Sequence, residues 1–190
     1  VIDMAFDSTN ESRGIFIDET TGAFLLTGNK VTNAKQYGLY YGSHRSTDKQ
    51  AIIANNMIGG GFQNSGNWTA AIHVHGSMHN VGFYYNSLLV DVESNSTSSV
   101  IYFWGNGSSL LDFVNNSFVS KKSSTGFAFY GWPNTINRMD YNNFYNTGTR
   151  FVWYGELVSL IKDLQEIDGK NMNSRAGDPQ YISGTDLHSN

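Results

Sequence analysis

The stretch Leu110–Val119, LLDFVNNSFV, sets two asparagines inside a run that otherwise reads as a β-strand. A buried amide without partners costs several kcal/mol, so an Asn here needs a regular source of hydrogen bonds. The same pattern recurs along the chain. FLLTGNKV, AIIANNMI, VGFYYNSLL, LLDFVNNSFV and NRMDYNNFY align on Asn29, Asn56, Asn86, Asn116 and Asn142, with steps of 27, 30, 30 and 26 residues. Three residues before each anchor stands Leu26, Ile53, Phe83, Phe113 or Met139, and two after it Val31, Ile58, Leu88, Phe118 or Phe144. Both columns are apolar throughout. Period-two alternation therefore puts each column on a buried strand face and the anchor at the bend between two short strands.

Each repeat carries a further strand, YGLYYG, AAIHVHG, SVIYFWG, GFAFYG or RFVWYG, ending at Gly42, Gly76, Gly105, Gly131 or Gly155. One coil then holds three short strands and three turns. The fold class is all-β, a single-stranded parallel β-helix of about five to six coils stacked at the strand spacing of about 4.8 Å. In such a stack the anchor amides lie above one another and hydrogen-bond as an Asn ladder. These five asparagines are architecture rather than catalysis. An amphipathic-helix reading fails because the segments are short and rich in β-branched and aromatic residues.

Composition bounds the partners. The 190 residues carry a net charge of −4, with the few Lys and Arg scattered, which leaves no footprint for nucleic acid or an anionic membrane. No run is long enough for a membrane span, so membrane insertion is not expected. There is no Cys, so disulfides are excluded.

At the ends the repeat changes. VIDMAF resembles the material after an anchor and RGIFIDET the glycine-ended strand, so Val1 enters the solenoid partway through a coil, and upstream coils are an expected partner of the segment. Residues 1–155 form the coils. Residues 156–190 form a cap, in which Leu157, Leu160, Ile161, Leu164 and Ile167 fall at helical spacing, Ser159 can cap the helix and Gly169 can stop it. A helix there covers the open edge of the last coil.

The Asn-anchored coils, followed by SLIKDLQEIDGKNMNS and then GDPQYIS with Asp178-Pro179, resemble the C-terminal part of the right-handed parallel β-helix proteins of the pectate-lyase-like superfamily, many of them bacterial. The resemblance covers nearly the whole chain. It implies an extracellular or cell-surface setting and a carbohydrate partner. It leaves activity open, because the fold hosts lyases, hydrolases, esterases, tailspikes and adhesins.

By the same resemblance, the outer face of the glycine-ended sheet forms the substrate groove. Counting back from each glycine, Ile72, Val74, Ile101, Phe103, Phe127, Phe129, Phe151 and Trp153 are expected to point inward. Tyr41, His75, Trp104, Tyr130 and Tyr154 then point outward, beside Leu39, His73, Tyr102, Ala128 and Val152. An exposed aromatic stripe marks a contact surface, and its rings can stack on sugar faces while phenol, indole and imidazole groups hydrogen-bond. The candidate carbohydrate-binding residues are Tyr41, His73, His75, Tyr102, Trp104, Tyr130 and Tyr154. Turns covering the stripe, or rings stacked only on each other, are the structural alternative.

A pectate-lyase site, by resemblance, needs outward Asp or Glu to hold calcium and a basic residue beside them, and hydrolases of this fold need paired carboxylates. None of the ten outward positions is acidic, so no catalytic residue, cofactor or metal is assigned. On the adjacent sheet Asp112 and Arg138 read as a surface ion pair with Asp140 nearby, and Asp48, Asp91 and Glu93 are single acids in turns. His73, His75 and His79 in HVHGSMH could share a metal, but no further ligand is identifiable. The sequons at Asn10, Asn67, Asn95, Asn106 and Asn115 are no more than an Asn- and Ser-rich chain produces by chance. The expected function is a non-catalytic, glycan-contacting segment of a secreted or surface protein. The alternatives are part of a polysaccharide lyase or glycoside hydrolase, or a stalk.

Overall fold

The computed structural model describes residues 2–3, 12–62, 68–92, 98–105, 107, 109–121 and 125–189. Its strands form three parallel sheets in a solenoid of about five turns. Sheet 1 contains the strands that follow the anchors: Ile2–Asp3, Lys30–Thr32, Met57–Gly59, Ser87–Asp91, Ser117–Lys121, Asn143–Asn146 and Arg175–Ala176. Sheet 2 contains the glycine-ended strands Arg13–Ile17, Tyr37–Tyr41, Thr69–His75, Ser98–Trp104, Phe127–Gly131 and Val152–Tyr154. Sheet 3 contains the strands before the anchors, Phe24–Thr27, Ala51–Ala54, His79–Tyr84, Ser109–Val114 and Ile136–Asp140.

The register follows the anchor alignment. Val31, Ile58, Leu88, Phe118 and Phe144 stack in one buried column of sheet 1. Leu26, Ile53, Phe83, Phe113 and Met139 stack in sheet 3. Inside, Phe83 and Phe113 lie face to face at 4.7 Å, and Phe118 meets Phe144 at 5.2 Å. The first strands, Ile2–Asp3 and Arg13–Ile17, pair with Lys30–Thr32 and Tyr37–Tyr41, as their likeness to those segments predicts.

The anchors form the expected ladder. Each Nδ2 donates to the next Oδ1, from Asn29 to Asn56 at 2.9 Å, Asn56 to Asn86 at 3.0 Å, Asn86 to Asn116 at 3.0 Å and Asn116 to Asn142 at 3.1 Å. The same Oδ1 atoms accept the backbone N–H of the preceding anchor at 2.9–3.1 Å. From Asn56 onward each Nδ2 also donates to the carbonyl three residues before the previous anchor, such as Phe83 O for Asn116. The amides of Asn56, Asn86 and Asn116 are thus paired through both Oδ1 and Nδ2. A sixth rung has a different side chain: Ser174 Oγ accepts the Asn142 N–H at 3.1 Å and donates to Asn171 Oδ1 at 3.2 Å.

The C-terminal end is closed twice. The chain reverses after Tyr154, so that Leu157–Val158 pairs antiparallel with Val152 and Trp153 and covers the last edge of sheet 2. Helix α1, Ile161–Asp168, then buries Leu164 against the core and ends at Gly169, whose left-handed φ of 68° suits a glycine C-cap. The helix begins at Leu160, which occupies the N-cap position without a side-chain bond, so Ser159 is not its cap. Tyr154 donates to Asp168 at 2.8 Å and ties core to helix.

The Asp-Pro segment closes a flank rather than the end. Residues 177–189 run back across the outside of sheet 1 like a strap. Asn143 donates to Gly177 O, Lys121 pairs with Asp178 at 3.3 Å, and buried Leu187 reaches Leu89, Val119 and Met57. Gly59 must be small here, since a Cβ would meet Gly184 O at 2.9 Å.

Candidate functional site

Cross-strand pairing on sheet 2 sets which rings face out. Ile15, Leu39, Ile72, Ile101, Phe129 and Val152 form one column, and Ile17, Tyr41, Val74, Phe103, Gly131 and Tyr154 another. Both columns face the core. Between them Phe16, Tyr40, His73, Tyr102, Tyr130 and Trp153 form a single outward column. A second outward rail contains the paired His75 and Trp104 and continues to Trp132.

The expected stripe is therefore present with altered membership. His73, His75, Tyr102, Trp104 and Tyr130 are on the outer face. Tyr41 and Tyr154 are instead fully buried in the core, as are Leu39, Ala128 and Val152, while Trp153 faces out rather than in. The reason is the glycine used to align the strands. Gly76 and Gly105 share a register, but Gly42 falls level with His75 and Gly155 level with Trp104, each one residue earlier, while Gly131 falls two earlier, level with Phe103. A one-residue slip exchanges the two faces of a strand. The glycines answer local crowding: a Cβ on Gly105 would lie 2.1 Å from Gly76 O in the coil beneath, whereas Gly131 is kept small by the Phe129 ring.

The outward rings are in continuous contact. Phe16 stacks on Tyr40 at 5.2 Å, Tyr40 meets His73 at 5.1 Å, His73 meets Tyr102 at 5.0 Å, Tyr102 meets Tyr130 at 5.3 Å, and Tyr130 stacks on Trp153 at 5.6 Å. The Arg13 guanidinium lies over Tyr40, 4.6 Å from its centroid. Trp68 lies flat on Tyr102 at 4.1 Å, 10° from parallel. Tyr37 closes on His73 at 4.5 Å. Phe16, Tyr40, Trp68, Trp132 and Trp153 escaped the glycine count; aligning strands on their apolar cores would have found Tyr40 and Trp153.

The middle of the ladder is covered. His73 is 8% exposed and Tyr102 is buried, and neither ring nitrogen of His73 has a hydrogen-bond partner. Burial, with help from His75 and Arg13, lowers the His73 pKa to about 4, so the ring is neutral at pH 7. Burial first, and the neighbouring Tyr130 and Tyr37, push the Tyr102 phenol up to about 12.

The second rail is open. Trp104 is 52% exposed, His75 is exposed, and Trp132 stands across from Trp104 at 6.2 Å with the rings 65° apart. With Gly76, Ser77 and Gly105 these side chains line a shallow cavity of about 340 Å³. It offers two indole surfaces at an angle, an imidazole and a hydroxyl.

The other candidate groups are structural. Asp112 does not serve as an exposed ion-pair partner of Arg138; it is buried and accepts from Tyr84 and Asn137, each at 2.9 Å. Asp140 accepts from the backbone and side chain of Asn173. His73 and His75 meet edge to face at 5.9 Å, whereas His79 belongs to sheet 3. Among the described residues no group of three His, Cys, Asp or Glu side chains could hold a metal. Glu93, Asn10, Asn67, Asn95 and Asn106 lie outside the described residues, and Asn115 stands exposed at a corner. The chain matches no protein-family model, no curated protein and no solved structure.

Proposed function

We propose that this chain is a non-catalytic, glycan-contacting segment of a β-helix protein that works at the cell surface or outside the cell, with a polysaccharide as its partner. The observation that carries the reading is the open cavity between Trp104, Trp132 and His75 on the outer face of sheet 2. The half-exposed Trp104 indole, facing the partly buried Trp132 beside hydrogen-bonding groups, suits the apolar faces and hydroxyls of sugar rings. The covered rings His73, Tyr102 and Tyr37 act as a stiff backing, so contact falls to Trp104, Trp132, His75 and the exposed end of the ladder at Phe16.

Kinship with the pectate-lyase-like superfamily belongs to the same proposal and rests on the coil pattern and the Asp178-Pro179 segment. Further coils stacking on the first rung are proposed as a second partner, because Ile15, Ile17, Phe24 and Leu26 are only partly buried where their counterparts in the next coil are sealed. A test is titration with neutral and acidic oligosaccharides, followed by tryptophan fluorescence. The expected result is a saturable change that Trp104→Ala weakens about tenfold, the equivalent of roughly 1.4 kcal/mol. A flat response across the panel would overturn the reading.

A further inference from the structure

A second groove lies at the bend between sheets 3 and 1, away from the ring ladder. The residue before each anchor, Gly28, Asn55, Tyr85, Asn115 or Tyr141, has a positive φ between 54° and 69°. Glycine and asparagine tolerate this left-handed conformation best, and tyrosine does so at a cost in stability. Yet Tyr85 and Tyr141 occupy two of the five corners, with side chains 60% and 56% exposed. Neither the core nor the ladder uses their rings, so folding does not explain why tyrosine stands where Asn55 and Asn115 show that asparagine fits.

The two rings flank Asn115 and are two coils apart, roughly 10 Å at the usual strand spacing. They border an open groove of about 490 Å³ with a floor that includes Ser87, Ser117 and Asn143. The strap supplies the opposite wall through Pro179 and Tyr181, and Arg175 lies at one end. The lining is thus hydroxyls, amides and phenols with a single charged side chain.

The geometry points to a second carbohydrate site at this corner, taking an extended, neutral glycan whose alternate sugars stack on Tyr85 and Tyr141 while its hydroxyls meet the exposed Asn115 and Arg175. The spacing of the rings approaches the repeat of an extended β-linked disaccharide, which turns every second sugar to the same side. An added peptide strand has no edge to pair with, because the middle strands of sheet 1 are bonded on both sides and the strap covers their outer face. The site goes beyond the ring-ladder reading and stands or falls separately from it.

The test uses the full chain and calorimetric titration with cellohexaose, xylohexaose and chitohexaose, comparing wild type with the Tyr85→Asn/Tyr141→Asn double variant and with Trp104→Ala. Because asparagine relieves the left-handed corner, the double variant should melt about 2–4 °C higher while binding at least one of these hexamers at least tenfold more weakly. Trp104→Ala should leave that corner binding unchanged. The proposal is overturned if none of the hexamers binds, if the double variant binds all that the wild type binds equally well, or if it melts lower, which would make the tyrosines structural. Capture of a proline-rich peptide through the two tyrosines, with no glycan bound, also overturns it.

Discussion

Two ladders climb this solenoid at one rung per coil, and they are held by different physics. The inner one, Asn29 to Asn142 and then Ser174, is bonded atom to atom. From Asn56 to Asn142 each Oδ1 takes two N–H groups, so a rung displaced by one residue would leave buried donors empty. The outer one, Phe16 to Trp153, is held by ring contacts of 5.0–5.6 Å whose interplanar angles range from stacked to edge-on. Ring contact is tolerant of angle, so tyrosine, histidine, phenylalanine and tryptophan succeed one another there. Directional bonds demand one residue type at one position; dispersion demands only bulk on the right face.

The largest predicted effect breaks the inner ladder. Asn116 Oδ1 accepts the backbone N–H and the Nδ2 of Asn86, and its own Nδ2 donates to Phe83 O and Asn142 Oδ1. Asn116→Ala strands these groups in a site closed to water. With each orphan costing about 1–3 kcal/mol, the expected loss is about 4 kcal/mol, measured by urea unfolding. A loss below about 1 kcal/mol would show that the ladder is not what fixes the bend.

The next effect separates the ladders by pH. His73 is buried among Tyr37, Tyr40, Tyr102, His75 and Arg13 and titrates near 4 when folded, against an ordinary value of 6.5. Between those values the unfolded chain binds a proton that the folded chain refuses, so stability falls as pH drops from about 6.5 to 4 and levels off below. Full linkage amounts to about 3 kcal/mol. The carboxylates of Asp48, Asp178 and Asp186 are held below their usual range, by side-chain or backbone hydrogen bonds, and their contributions are lost only at lower pH. His73→Phe, which keeps a ring in the column, should flatten the melting temperature between pH 6.5 and 4. An unchanged slope would mean that His73 is solvated or paired in solution.

The same contrast decides what could be read from the chain alone. The five anchors and their apolar neighbours were legible because hydrogen bonding keeps Asn at a constant offset from Phe83, Phe113 and their equivalents. Ser174 was not, since a hydroxyl can end the ladder as well as an amide, and the only hint was its place 32 residues after Asn142. The outer face was half legible. Glycine marks tight places, and these fall at different registers in different coils, which turned Tyr41 and Tyr154 outward on paper when they fill the core. The strap over sheet 1 left no periodic signal, because Leu187 meets Leu89 and Val119 only through the fold.

The smallest effect tests whether the outer ladder is divided between backing and contact surface. Tyr102 and Trp104 are two residues apart on one strand and both face out, but Tyr102 lies under Trp68 whereas Trp104 keeps half its surface in water and meets its nearest rings at 6.1 and 6.2 Å. Removing so exposed a ring leaves no cavity and no orphaned donor. Trp104→Ala should therefore cost less than about 1 kcal/mol, visible as a melting shift of a few degrees at most. A loss of 3 kcal/mol or more would place Trp104 with the buried rings and make any loss of glycan binding in that variant a consequence of damage to the fold. A small loss leaves the indole in its open position for a reason other than stability.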